Sequence, residues 1–164
     1  MVIKIRQYRP QDYQAIADIY NEAVLQGGIT MDCELYSAQQ IADWVKKFND
    51  RETILIAERD QVQVGWGIIK RYSDRPGYWV CCETSIYLKF SETQKGYGQI
   101  LQNALLQQVR EFNYQHVVAK ILTANPGSIR FHEKFGFELV GIQNKIGFYG
   151  GQWHDVAIMQ LLLD

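Results

Sequence analysis

The sequence predicts an α/β fold in a single domain, residues 1–164, with a mixed, mainly antiparallel sheet flanked by helices. Three observations lead there. Blocks of β-branched and aromatic residues alternate with stretches whose apolar positions recur at three and four. Most connections between consecutive strand-like blocks are short, which favours antiparallel neighbours. One helix, opening at Gly96–Gly98, lies between two strands and so demands a parallel pair inside the sheet. The predicted order is β-α-α-β-β-β-α-β-α-β-β.

Each element has its own signal. Residues 2–8 alternate as a strand. From Pro10 to Leu25, Tyr13, Ile16, Ala17, Tyr20, Ala23 and Val24 form one helix face, and Gly27-Gly28 ends it. Ser37 and Gln40 make an S-x-x-Q capping box. Behind it Ile41, Trp44, Val45 and Phe48 give the second helix a buried stripe, and Asn49-Asp50 stops it. Three strands follow, Thr53–Glu58, Val62–Tyr72 and about 78–90. The loop 73–77 separates the last two. The third helix carries Leu101, Ala104, Leu105, Val109 and Phe112 on one side. After a strand at His116–Leu122, Asn125-Pro126 opens a short helix, since proline suits the first helical position. Gly136 closes it. Strands at about 137–145 and 153–163 flank a loop, 147–152.

Composition narrows the function. Seventeen basic residues stand against 18 acidic. A nucleic-acid binder usually shows a basic excess, so neither nucleic acid nor an anionic membrane is an expected partner. No apolar run reaches the ~20 residues of a membrane span, and the N-terminus lacks the core of a signal peptide. Cys33, Cys81 and Cys82 have neither pairing nor zinc spacing, as in a reduced, cytoplasmic protein. The three histidines have no metal-ligand spacing.

The strongest chemical signal is Lys95-Gly96-Tyr97-Gly98 between a strand and a helix. Glycines let backbone N–H groups approach an anion, and a helix N-terminus adds partial positive charge. The turn suits a diphosphate, although an ordinary tight turn has the same composition. It fits neither the dinucleotide fingerprint nor the P-loop. Glu83 is a lone carboxylate in the run Val80–Ile86, and His132 stands beside an aromatic stripe. Position alone allows Glu83 to be a general base, an outward strand residue or an ion-pair partner. It likewise allows His132 to pack or cap.

The stretch Thr93–Gly98 resembles the [RQ]-x-x-G-x-[GA] turn of the GNAT superfamily of N-acetyltransferases. Both glycines match, while Thr93 stands where Arg or Gln is usual. Asn21–Val24, Gly28–Thr30, Gly65-Trp66, Arg75–Tyr78, Glu83–Tyr87, Asn125–Ile129, Phe131–Phe137 and Trp153–Asp155 are similar, in order, to the phosphinothricin N-acetyltransferase family. Met31 and Phe131 depart from it, where Phe and Leu are usual.

The resemblance implies acetyl-CoA as co-substrate and a small amino-acid analogue as acceptor, such as phosphinothricin, methionine sulfoximine or methionine sulfone. It implies direct transfer, Glu83 as general base, and His132 as proton donor or amine-positioning group. Cofactor contacts are expected from Ile86, Tyr87 and Leu88, from Gln94, Lys95, Gly96, Tyr97, Gly98 and Gln99, and from Asn125 and Ser128. Thr30, Arg75 and Tyr78 are the expected substrate residues, with Arg75 gripping a carboxylate. A homodimer is expected from family habit. Two other readings stay open: transfer to a polyamine, a peptide terminus or an aminoglycoside, and a non-catalytic acetyl-CoA-binding module.

Overall fold

The computed structural model describes residues 2–164. Its elements are β1 (Ile3–Gln7), α1 (Tyr13–Gln26), α2 (Ala38–Lys46), β2 (Thr53–Arg59), β3 (Val62–Arg71), β4 (Cys81–Leu88), α3 (Tyr97–Glu111), β5 (His116–Leu122), α4 (Pro126–Lys134), β6 (Glu138–Tyr149) and β7 (Gln152–Leu162). The order is the predicted one. The seven strands form one sheet, β1-β2-β3-β4-β5-β7-β6, in which only β4 and β5 are parallel.

Helices cover both faces. On β2, Ile54 and Ile56 pack with Ile16, Ile19, Tyr20 and Ile41 of α1 and α2. Their neighbours Leu55 and Ala57 pack with Leu101, Leu105 and Val109 of α3. A strand buried on both faces reads as an unbroken apolar run rather than an alternation, as Thr53–Ala57 does. Trp66 is fully buried in the α1–α2 layer, and its indole N–H donates to the Ile16 carbonyl at 3.1 Å. That bond removes the penalty of a buried unpaired donor.

Three boundaries differ from expectation. The chain from Pro10 to Asp12 is a 3-10 turn, and α1 starts only at Tyr13. Asp12 is buried and accepts from both terminal nitrogens of Arg6 (2.8 and 2.9 Å) and from the Arg9 amide (2.7 Å), which fixes this turn. The fourth strand begins at Cys81, not 78, because Pro76–Tyr78 forms another 3-10 turn. The closing strands are joined by two residues rather than a six-residue loop. Gly150 and Gly151 have φ of 60° and 74°, the left-handed pair that a tight hairpin requires.

The feature that builds a site is the short β4–β5 contact. Only Cys81, Cys82 and Glu83 pair with β5, opposite His116, Val117 and Val118. Beyond Glu83, β4 stays on β3 as far as Leu88 while β5 continues alone beside β7. The two strands part there.

Candidate active site

Side chains alternate along β4, so Glu83, Ser85 and Tyr87 share one face. They line a pocket of about 550 Å³ with Trp66, Ile68 and Lys70 of β3, Tyr20 of α1 and Trp44 of α2. Trp66, Ile68 and Lys70 are the cross-strand partners of Tyr87, Ser85 and Glu83. The aromatic wall is continuous: Tyr20 lies 5.0 Å from Tyr87 and 5.3 Å from Tyr36, ring centre to ring centre, and Trp66 lies 4.8 Å from Tyr87.

The charged groups differ in their freedom. Glu83 Oε1 is 3.2 Å from Lys120 Nζ, and its side chain stays 21% exposed to the pocket. Arg71 is bound to Glu52 and to Asp74 (2.5 Å). Lys70, exposed beside Glu83, and Lys47 both line the pocket and have no ion-pair partner among the described residues. Asp32 accepts from the hydroxyls of Tyr20 and Tyr36, the latter at 3.2 Å. Burial pushes the Tyr20 hydroxyl well above the usual phenol range, so it remains a donor.

The expected substrate residues do not gather around Glu83. Arg75 and Tyr78 line a neighbouring hollow with Trp79 and Tyr114, because the Pro76 turn takes them out of the strand. Thr30 is buried, with its hydroxyl 2.6 Å from that of Tyr20, and holds the pocket wall from behind. Lys70, Tyr36 and Trp44 were missed as pocket residues. The period of two through Trp66, Ile68 and Lys70 was the available signal for Lys70. The capped α2 stripe was the signal for Trp44, but nothing in the sequence says that α2 covers β4.

The far side of the parting is lined by Ile86, Asn125, Ser128 and His132. Tyr72 N–H bonds the Cys81 carbonyl and Lys89 N–H bonds that of Val64. Odd residues of β4 therefore turn their backbone to β3, and Ile86 and Leu88 turn theirs to the gap. Tyr87, expected as a backbone contact, instead bonds β3 through its backbone and lines the aromatic pocket with its ring.

At the start of α3, Gly96 is in the left-handed region (φ 83°) and no side chain caps the helix. The first amides, Tyr97, Gly98 and Gln99, are thus free to meet an anion. A Cβ on Gly98 would come within 3.3 Å of the tip of Leu88 and 3.6 Å of Phe131, so the turn packs closely on those two side chains. Gln94 also has positive φ, and Lys95 Nζ is 3.1 Å from Glu92. Arg59 grips the same carboxylate at 2.7 and 2.9 Å. Desolvation pushes Glu92 up, but Lys95 and Arg59 outweigh it and hold the carboxyl below its usual range. Thr93 donates its hydroxyl to the Phe90 carbonyl at 2.8 Å, closing the preceding turn.

Asn125 caps α4, its side-chain oxygen 3.4 Å from the Ser128 amide. His132 is buried, and its Nδ1 lies 2.8 Å from the Ser128 carbonyl. A carbonyl only accepts, so Nδ1 carries the proton and Nε2 presents a lone pair. Burial lowers the imidazole pKa, and the hydrogen bond to Ser128 raises it by less.

A pocket with an aromatic wall and a charged lining that includes Glu83, beside a gap with unpaired strand backbone and an uncapped helix, is a two-ligand arrangement. A family model described as an acetyltransferase (GNAT) domain matches residues 5–158. The chain belongs to the GNAT acetyltransferase family. It is an acyltransferase. This GNAT enzyme is 30% identical over 169 residues to an L-methionine sulfoximine/L-methionine sulfone acetyltransferase of Pseudomonas aeruginosa, covering 100% of this chain and 96% of that one. It is 28% identical over 158 residues to a phosphinothricin N-acetyltransferase of Streptomyces viridochromogenes, covering 96% and 86%. A solved phosphinothricin acetyltransferase from Sinorhizobium meliloti, in complex with acetyl-CoA, superposes with a TM-score of 0.93 at 29% identity, over 99% of this chain and 89% of that one. Among the described residues, no helix is long and apolar enough to cross a membrane.

The buried imidazole has a measurable signature. A histidine kept neutral by the fold is charged in the unfolded chain below about pH 6.5. The unfolded state then binds more protons, so stability falls as pH drops below that value. Denaturation midpoints between pH 5 and 7.5 should show this slope. His132→Asn should flatten it, and equal slopes in both proteins would show that His132 titrates freely when folded.

Proposed function

We propose that the enzyme acetylates the α-amine of a small amino-acid analogue of the phosphinothricin, methionine sulfoximine and methionine sulfone class. The observation that carries this is Glu83. Its carboxylate lies where β4 and β5 part, at the floor of the aromatic pocket and next to the gap lined by Ile86 and His132. An amine in the pocket and a thioester in the gap meet beside it.

Acetyl-CoA, when bound, supplies the acetyl group as a thioester. The free amides of Tyr97, Gly98 and Gln99 bind its diphosphate, with Lys95 adding charge and Gln94 and Gly96 shaping the turn. Thr93, engaged with Phe90, makes no such contact. The backbones of Ile86 and Leu88 add hydrogen bonds to the pantetheine arm in the manner of strand addition, and Asn125 and Ser128 face the same arm.

An α-amine is largely protonated below pH ~8 and must lose a proton before it can attack. Glu83 accepts that proton, directly or through water. Lys120 pairs with Glu83, and Lys70, the cross-strand partner of Glu83, is the unpaired pocket cation placed nearest it in the sheet, ready for the acceptor's carboxylate. His132 acts as a positioning acceptor through Nε2. With its Nδ1–H donated to the Ser128 carbonyl and its pKa lowered, it does not protonate the leaving thiolate, which takes the second proton of the attacking amine. Transfer is direct: Cys82, the thiol nearest Glu83 in the strand, is fully buried and burial pushes its pKa far up.

A homodimer fits the outer strand. β6 is a sheet edge on which Leu139, Val140, Ile142, Ile146 and Phe148 are about half exposed or more. So long an apolar edge invites a partner.

Acetylation by the purified protein should be read by mass spectrometry over a panel of methionine sulfoximine, methionine sulfone, phosphinothricin, ordinary amino acids, spermidine and a short peptide. Product from the first three alone is expected. Spermidine or peptide product would replace the acceptor class, and acetyl-CoA binding with no product would favour a non-catalytic module. Glu83→Gln should cut turnover about 10²–10⁴-fold with acetyl-CoA affinity unchanged; unchanged turnover would remove Glu83 from the chemistry. Lys70→Ala should raise the amine KM while Arg75→Ala does not, and the reverse would return the carboxylate to Arg75. Light scattering at micromolar protein should give twice the 19.1 kDa chain mass, and a monomeric value would count against the dimer.

A further inference from the structure

The tip of the β6–β7 hairpin reaches across to the segment that follows α1. The Gly28 amide donates to the Tyr149 hydroxyl at 2.9 Å. The Tyr149 ring is stacked on His154, with centroids 3.8 Å apart and planes 11° from parallel. His154 Nε2 lies 3.1 Å from the Tyr149 carbonyl, which locks the two residues together. Two residues earlier, a Cβ on Gly147 would fall 2.5 Å from both Sδ and Cε of Met31, so the Met31 side chain lies directly on the bare backbone of Gly147.

The tethered segment is functional in the reading above. Thr30 supports the Tyr20 hydroxyl at 2.6 Å, and Asp32 accepts from Tyr20 and Tyr36 at the pocket wall. Gly27 and Gly28 both have positive φ, 76° and 77°, a backbone state that only glycine adopts without strain. The segment is therefore intrinsically permissive. Its fixed points on the hairpin side are the Gly28–Tyr149 bond and the Met31–Gly147 contact.

We propose that Tyr149 is a positioning residue for the acceptor amine, and that the Gly147–Met31 contact helps set which acceptor fits. Tyr149 touches no reacting atom. It holds the Gly28–Asp32 segment so that Tyr20, Asp32 and Tyr36 keep one arrangement in the pocket wall. Met31 takes its present place against the hairpin because residue 147 lacks a side chain. The inference rests on the aromatic pocket being the acceptor site.

Tyr149→Phe keeps the ring stack and removes only the hydroxyl. The amine KM should rise about 3- to 10-fold, the size of one lost hydrogen bond, with acetyl-CoA affinity and kcat unchanged. Hydrogen exchange at the Gly28 amide should accelerate about tenfold in the same variant. Gly147→Ala should push the flexible end of Met31 aside and change the ratio of kcat/KM between two accepted amines. Adding Met31→Ala should restore that ratio. An unchanged amine KM with unchanged Gly28 exchange would overturn the proposal. So would an equal loss in amine KM, kcat and acetyl-CoA affinity, which marks general destabilisation. If the parent protein acetylates no amine, the functional reading fails instead, and Gly28 exchange alone decides whether Tyr149 holds the segment.

Discussion

Backbone hydrogen bonding between β4 and β5 ends after Glu83, and the site follows from that parting. A sheet normally satisfies every N–H and C=O between neighbours, and an unpaired group away from water is costly. Here the sheet stays whole on both outer sides while two central strands diverge. The strand backbone at Ile86 and Leu88 is left for a ligand. α4 sets its N-terminus and His132 against the opening, so the gap is shaped by side chains as well as by missing bonds. The parting also gives Glu83 two environments, an aromatic pocket on one face and the gap beside it.

The two packed layers do different work around this parting. The α3 layer holds the glycine turn, which packs closely on Leu88 and Phe131 at Gly98. Glu92, gripped by Arg59 and Lys95, ties that turn to β2. The α1–α2 layer holds the aromatic pocket, in which Trp66 and Tyr20 are at once core residues and pocket wall. Rigidity of the wall is thus bought with the same burial that stabilises the layer. Deleting one of these rings would cost stability of a few kcal/mol as well as binding, since large-to-small core changes typically cost ~3–5 kcal/mol.

Much of this was legible in the chain. The S-x-x-Q box at Ser37 forms as written, with the Ser37 amide donating to the Gln40 side chain at 2.8 Å. Asn125 caps α4, and Gly96 takes the left-handed conformation before α3. These are local facts, fixed by a few neighbouring residues, and local sequence carries them. The misread boundaries at Pro10, Tyr78 and Gly147 share a cause. Each depends on a turn tighter than composition suggests, and at Asp12 also on a partner remote in sequence, Gln63.

The sequence by itself determined the element order, the parallel pair, the glycine turn and the presence of one carboxylate in an apolar strand, because periodicity, capping and turn chemistry act over a few residues. Only the tertiary structure decided where β4 and β5 part, that Arg75 lies in a different hollow from Glu83, that Lys70 does not, and that His132 is buried with Nδ1 facing the Ser128 carbonyl. Those outcomes depend on which distant segments meet and how deeply a group is buried, and neither is written in any short stretch of chain.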